Sequence, residues 1–241
     1  MGGNGKAAGG ATPAAQGNPQ GNPDPELDAA GYQHAIAERF RRAAQQEAPV
    51  IERLQQGFAE WNRSVSADED QALVTYQSSG YRNLNRALRH ENGVVNRPNH
   101  LLNPALVHHL DAVISRGRVP QAITVYRGRQ RYISLDEARS MVGEELTDHG
   151  YLSTSVRVAV GESYALRGTP NGTLYQIEVP AGSPTAWLHS FDREGLDEKE
   201  ILLPRSSTFV VTAASQRADP DVQGHFATVI HMRLVPAERD L

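Results

Sequence analysis

Residues 197–204 read Asp197-Glu198-Lys199-Glu200-Ile201-Leu202-Leu203-Pro204, two acids one residue apart that run straight into an apolar, β-prone stretch. On extended backbone, residues two apart share a face. The spacing predicts a strand on which Glu198 and Glu200 project together. Lys199 then turns away, and Ile201 and Leu203 line the opposite, buried face. Two carboxylates held side by side raise each other's pKa and repel. Such a pair marks either an exposed strand end or a place where a cation or a reacting centre sits opposite, and the choice depends on what precedes it.

Working upstream, two more strands carry side chains with chemistry. Ile123-Thr124-Val125-Tyr126-Arg127 alternates in the β manner and is expected to end at Gly128. An arginine at a strand end followed by glycine can grip a phosphate with both arms of its guanidinium while the backbone comes close; a surface salt bridge is the alternative. On Tyr151–Ser155, the hydroxyls of Ser153 and Ser155 fall on one face, where they can orient a carboxylate or a ribose. A hydrogen-bonded edge strand reads the same way.

Before the first of these strands the pattern is helical. Ile36, Phe40, Val50, Ile51, Leu54 and Phe58 recur at spacings of three and four between Tyr32 and Trp61, with Arg39, Arg41 and Arg42 on another face. Pro49 is expected to break this run into two helices. Ser66-Ala67-Asp68-Glu69 is a capping box that opens a segment through Ala72, Leu73 and Tyr76. Gly80 allows a break before Tyr81–Arg89 resumes a helix, and Tyr76, Tyr81 and Asn85 are candidates for one cleft wall. A loop over 92–104 and a helix from Ala105 to Ile114, ended by Gly117 and Pro120, complete the helical part. Ser134-Leu135-Asp136-Glu137 is a second capping box, opening a short helix to about Val142.

Thereafter strands are expected at 151–155, 173–179, 186–189, 200–203, 208–213 and 226–235, interrupted by a helix near 158–166. Helices first and strands later indicate an α+β fold. Residues 1–28, dominated by Gly, Ala, Pro, Asn and Gln, bury nothing and read as a disordered tail. The expected division is a tail over 1–28, N-terminal helices over 29–65 and a main domain over 66–241.

Composition excludes several classes. The 241 residues include no cysteine, so disulfides, thiolate zinc sites and Cys nucleophiles are absent. Nine histidines are scattered without H-E-x-x-H spacing, and no metal is expected. A net charge of −4 argues against broad nucleic-acid binding. No apolar run approaches the length of a membrane span. Met1-Gly2-Gly3-Asn4-Gly5-Lys6 lacks the regions of a secretory signal peptide, so a soluble protein acting outside its cell would leave by another route.

Taken in order, the three strand motifs resemble the arginine–serine–glutamate class of mono-ADP-ribosyltransferases, which includes clostridial actin-modifying toxins and related bacterial effectors. The resemblance covers roughly 68–241. Tyr81-x-x-Leu84-Asn85-x-x-Leu88-Arg89 looks like the family's first NAD-cleft helix. Val125-Tyr126-Arg127-Gly128 resembles its arginine motif and Gly150-Tyr151-Leu152-Ser153-Thr154-Ser155 its Ser-Thr-Ser strand. Residues 198–204 resemble its E-x-E strand, and Tyr164-x-x-Arg167 stands where the family commonly has Phe over the nicotinamide and an arginine toward the phosphates.

The resemblance implies a mixed α/β ADP-ribosyltransferase fold, with a β-sandwich core that binds NAD as co-substrate and helices before it. It assigns Glu200 to stabilise the oxocarbenium-like transition state, with Ser153 holding it in place. Arg127 would clamp the diphosphate or ribose, with Tyr76, Tyr81, Asn85, Gly128, Ser153, Tyr164 and Arg167 completing the NAD site. Glu198 would serve an arginine acceptor on a target protein. Phe191, in the preceding loop, would meet that target. Export by a specialised secretion or injection system, with an immunity or delivery partner, also follows from the resemblance; without export the protein would act in the cytoplasm. Modification of nucleic acid or a small molecule, and a non-catalytic NAD-binding module, are the alternatives.

Overall fold

The computed structural model describes residues 29–95, 103–188, 198–219 and 224–236. Helix α1 (Ala29–Gly57) runs through Pro49 rather than breaking there. An internal proline forfeits one backbone hydrogen bond and crowds the carbonyl four residues back. Tertiary contacts on both sides of Pro49 hold the helix together. Ile51 and Leu54 are buried beyond it, and Glu47 lies 3.4 Å from Nε of Arg157 before it.

Helix α2 (Ala59–Ser64) buries Trp61, whose indole N–H donates to the Val113 carbonyl at 2.9 Å. Helix α3 (Ala67–Thr75) opens on the expected capping box, with Ser66 and Glu69 bonding each other's backbone N–H. Glu69 also accepts two guanidinium bonds from Arg116, at 2.7 and 2.8 Å. The cap therefore ties α3 to α5 (Pro104–Arg116), which begins with Asn103 accepting from the N–H groups of Ala105 and Leu106.

Between α3 and α4 (Tyr81–His90) the chain does not break at Gly80. Residues Tyr76–Gly80 form one π-turn, and helical backbone continues on either side. Next come β1 (Ile123–Arg129), which passes through Gly128 instead of ending there, and α6 (Leu135–Ser140), capped by Ser134. A short strand absent from the sequence reading, β2 (Glu145–Asp148), follows; then β3 (Leu152–Ser155), α7 (Val158–Leu166) and β4 (Asn171–Val179). The remaining strands are β5 (Ala186–Trp187), β6 (Glu200–Leu203), β7 (Ser207–Ala218) and β8 (Phe226–Leu234).

Among the described residues these strands pair in the order β2-β7-β8-β4-β1-β3-β6-β5. β4 and β8 run parallel and the other neighbours antiparallel. Strand β1 pairs with β4 along its whole length, but meets β3 at one position, Tyr126 opposite Ser155. The sheet is hinged there, and the expected α+β core consists of the five strands on one side and the three on the other. A single hydrophobic cluster joins both halves to the helices through residues such as Leu54, Phe58, Leu110, Val125, Ile177, Ile201 and Ile230. Ala165, Leu174, Ala227 and Val229 form a smaller cluster beneath α7.

Gly128 matters to this packing more than to phosphate approach. A Cβ there would lie 1.9 Å from the Gly161 carbonyl and 2.4 Å from the Ala165 nitrogen, so its absence is what lets α7 lie against β1. No described helix is long and apolar enough to cross a membrane.

Candidate active site

A cleft of about 220 Å³ opens beside the β1–β3 hinge. Its walls come from the π-turn and α4 (Tyr76, Gln77, Tyr81, Asn85), β1 (Arg127, Gly128), β3 (Ser153, Ser155), α7 (Tyr164) and the start of β6 (Glu198, Glu200).

The helical wall depends on the π-turn. Five residues separate Tyr76 from Tyr81, which in an α-helix places them about 140° apart. The extra residue of the π-turn returns them to one side, with ring centroids 6.2 Å apart. Tyr81 and Asn85 are then one ordinary turn apart. Tyr76 is fully buried and serves as a junction. Its hydroxyl accepts from Asn85 Nδ2 at 3.0 Å and lies 3.2 Å from Ser153 Oγ and 3.4 Å from the Tyr151 carbonyl. Burial is the main reason its phenol is pushed up to about 12. Asn85 is also engaged structurally, its Oδ1 accepting from the Tyr151 N–H at 2.8 Å.

The two glutamates share the cleft, though not by the regular alternation the sequence suggests. Lys199 between them has a φ of +45°, so the extended strand begins at Glu200 and the chain enters it through a left-handed turn. The turn is pinned from β3: Ser155 Oγ donates to the Glu198 carbonyl at 2.5 Å, and the Val156 N–H to the Lys199 carbonyl at 3.3 Å. Ile201, Leu202 and Leu203 are all buried, so both faces of β6 are covered rather than one.

Glu200 accepts from Gln77 Nε2 at 3.2 Å, and Ser153 lies close enough to favour its ionised form. Burial pushes its carboxyl above the usual range; the Gln77 bond and the nearby Ser153 hydroxyl act in the other direction, as does the Arg127 charge, while Glu198 adds to the rise. Glu198 accepts from the Tyr164 hydroxyl at 2.7 Å. The two acids therefore have different surroundings, one held by an amide with a serine near it, the other by a half-exposed phenol.

Arg127 donates to the Ser153 carbonyl at 2.7 Å, which locks β1 to β3 below their single pairing. Burial, and then the nearby Arg129, lower its pKa from the usual arginine range. The same side chain lines an adjoining cavity of about 370 Å³ that also receives Arg89, Arg129, Thr147 and His149. Arg89 is bonded to Asp148 at 2.7 and 3.1 Å. This cation-rich chamber suits an anionic group such as a diphosphate, and it opens beside a carboxylate suited to a ribose. The residues present thus fit a dinucleotide.

The structure brings Tyr76, Tyr81, Asn85, Arg127, Gly128, Ser153, Tyr164, Glu198 and Glu200 into one cleft. Arg167 is not among the lining residues; its guanidinium lies over the Tyr164 ring, 4.9 Å from the centroid. Phe191, its loop and the 1–28 tail lie outside the described residues. Gln77 and Arg129 have no site role in the sequence reading, and Arg89 enters it only as the end of the Tyr81–Arg89 cleft-helix motif. Arg89 and Arg129 each stand within two to four residues of a named site residue, on a helix and a strand whose periods could have flagged them. Gln77 had no such signal, because its orientation comes from the π-turn.

A sequence profile described as ADP-ribosyltransferase exoenzyme matches residues 55–235. The fold is similar to the C3larvin toxin, an ADP-ribosyltransferase from Paenibacillus larvae, at 17% identity and a TM-score of 0.58 over 76% of this chain and 94% of that one. It is similar to the Clostridium limosum C3 exoenzyme at 22% identity and a TM-score of 0.58, over 77% and 94% of the two chains. C3stau2 from S. aureus, whose structure was solved with NAD, aligns at 21% identity and a TM-score of 0.54, over 74% and 94%. No curated protein sequence matches the chain. The fold is that of the ADP-ribosyltransferase toxins. The chain belongs to the ADP-ribosyltransferase exoenzyme family.

Proposed function

We propose that the protein transfers ADP-ribose from NAD to an arginine side chain of a target protein, with hydrolysis of NAD as a side reaction. The observation that carries this reading is the unequal placement of the two glutamates. Glu200 is held within the cleft by Gln77 with Ser153 near it, and Glu198 stands beside it bonded to the half-exposed Tyr164.

Loss of nicotinamide from NAD develops positive charge on the ribose. Glu200 supplies the fixed anion that lowers this barrier, and Ser153 orients it. Arg127, with Arg89 and Arg129 in the adjoining chamber, holds the diphosphate, and Tyr81, Asn85 and Tyr164 line the path between. Arg167 steadies the Tyr164 ring rather than reaching the phosphates itself. Glu198 accepts a proton from the incoming guanidinium, and its being Glu rather than Gln supports arginine as acceptor. The catalytic unit is residues 66–241, preceded by the 29–65 helices and by a tail that NAD cleavage does not need. Phe191 and its loop meet the target. The setting that fits is an exported toxin or effector with its own delivery or immunity partner.

The test measures nicotinamide release and labelling of agmatine or protein arginine in parallel. Glu200→Gln should lower both by at least about 100-fold. Glu198→Gln should keep most nicotinamide release and lose transfer. Undiminished arginine labelling by Glu198→Gln would remove Glu198 from the acceptor step, whereas wild-type protein that releases nicotinamide but labels no arginine would point to another acceptor, such as nucleic acid or a small molecule. Full activity in Glu200→Gln would overturn the reading of the cleft.

A further inference from the structure

We infer that Gln77 is a positioning residue for Glu200 and, through it, sets the acid limit of the enzyme's activity. The inference rests on the catalytic reading of Glu200 given above. It begins from a contact across 123 residues of sequence: Gln77 Nε2 donates to Glu200 Oε2 at 3.2 Å.

The groups that face Glu200 come from every element around it. Glu198 approaches from the same segment, Ser153 from β3, Arg127 from β1, and Tyr76 and Gln77 from the π-turn, while Tyr164 of α7 is bonded to Glu198. A hydrogen bond reaches the carboxylate from Gln77, a neutral donor, and the neutral Ser153 hydroxyl lies near it. Arg127, the cation on this wall, donates to the Ser153 carbonyl and acts on Glu200 from a distance.

This choice of donors has a chemical consequence. A guanidinium in contact with Glu200 would hold it ionised but cancel much of the negative charge it presents to a developing ribose cation. An amide stabilises the anion and leaves its charge in place. Burial and Glu198 both work against ionisation, and the Gln77 bond is the largest single contribution opposing them.

The π-turn makes the contact possible. Consecutive residues Tyr76 and Gln77 both face the cleft, the first bonded to Asn85 and beside Ser153, the second bonded to Glu200. Gln77 also borders a cavity of about 290 Å³ lined by Trp61, Leu73 and Trp187. A side chain of similar size can therefore replace it without crowding the wall.

The experiment follows nicotinamide release from NAD across pH 4–9 for the wild type, Gln77→Leu and Gln77→Glu, with thermal midpoints taken on the same samples. The acid limb of kcat/KM should move up by about one unit in Gln77→Leu, roughly tenfold less activity at a fixed acid pH, with recovery toward the alkaline side. Gln77→Glu should move it further, because a third carboxylate repels Glu200. The Glu200 carboxyl, followed by its ¹³C shift in the full chain, should titrate correspondingly higher in both variants. An unmoved acid limb and an unmoved ¹³C titration overturn the inference, as does an equal loss at every pH, which marks a merely structural role. Wild-type protein that releases no nicotinamide, or full activity in Glu200→Gln, overturns instead the catalytic reading beneath it. The ¹³C titration still decides whether Gln77 controls Glu200 in that event.

Discussion

The Tyr164 hydroxyl donates to Glu198 Oε1 across 2.7 Å, and the same ring carries the Arg167 guanidinium 4.9 Å from its centroid. A phenylalanine, which the resemblance leads one to expect at this position, would stack equally well and leave Glu198 without that donor. Tyr164→Phe should therefore preserve the ring contact and loosen the acid proposed to serve the acceptor. A charge-assisted hydrogen bond in a half-exposed position contributes about 1–1.5 kcal/mol. Transfer to agmatine should fall roughly 5–10-fold, and by more than nicotinamide release does. A parallel fall in both activities would assign the hydroxyl to NAD rather than to the acceptor.

Gly80 closes the π-turn, and a Cβ there would stand 2.9 Å from the Thr75 carbonyl oxygen. In an ordinary helix, Gly→Ala stabilises by up to about 1 kcal/mol. Here the added carbon meets the carbonyl of the wide turn, and relief means rotating Tyr76 and Gln77 relative to Tyr81. Gly80→Ala should lower the thermal midpoint and reduce nicotinamide release by about tenfold, a misplacement effect. If alanine instead raises the midpoint and leaves KM for NAD unchanged, the turn places no constraint on the cleft.

The sequence made most of this site legible because its residues sit on short, strongly patterned strands. Arg127, Ser153 and Glu200 each occupy a strand whose period can be read directly, and the pairing of β1 with β3 and of β3 with β6 brings them together. The features that escaped were those in which the backbone departs from a regular period. The π-turn cannot be read from spacing, so Gln77 was invisible and Gly80 looked like a break. The left-handed Lys199 gives the two glutamates a common cleft by a route other than strand alternation. Pro49 reads as a helix end because local propensity argues for one, whereas packing of Leu54 and the Glu47–Arg157 pair holds the helix through it. Strand β2 escapes because none of its four residues is buried and they lack the apolar alternation that marks a strand.

Arg116 and Glu69 give a prediction about acid stability that is independent of catalysis. The paired guanidinium bonds are the main reason the buried Glu69 carboxyl is held down to about 2. A carboxyl with a depressed folded pKa stabilises the fold above its unfolded value near 4.3, and that contribution is lost as pH falls from there through about 2. Arg116→Ala should destabilise by roughly 1–3 kcal/mol at neutral pH, since the acid keeps its capping bond to Ser66 but loses its cation. The loss should shrink on acidification between pH 4 and 2. Urea unfolding at several pH values checks this, and an equal loss at pH 7 and pH 2 would place the effect in packing rather than charge.

Glu200 has the opposite sign. Its carboxyl is pushed above the ordinary range chiefly by burial, so the folded protein holds that proton more tightly than the unfolded chain does. Stability then falls as pH rises from about 4.3 through the raised folded value, and above that value the fold carries the full penalty of an ionised acid in the cleft. On the proposed role of Glu200, catalysis needs that same ionised form, so activity should be lost as pH falls through the interval in which stability is gained. Glu200→Gln removes the charge while keeping an oxygen that can accept from Gln77. It should raise the thermal midpoint at pH 7, leave it nearly unchanged at pH 4, and abolish nicotinamide release, a trade-off expected where a site is held at the expense of the fold. Thermal unfolding at the two pH values, beside the nicotinamide assay, makes the comparison. If Glu200→Gln destabilises at pH 7, the carboxylate is an anchor of the β3–β6 pairing, and burial is not what governs its ionisation.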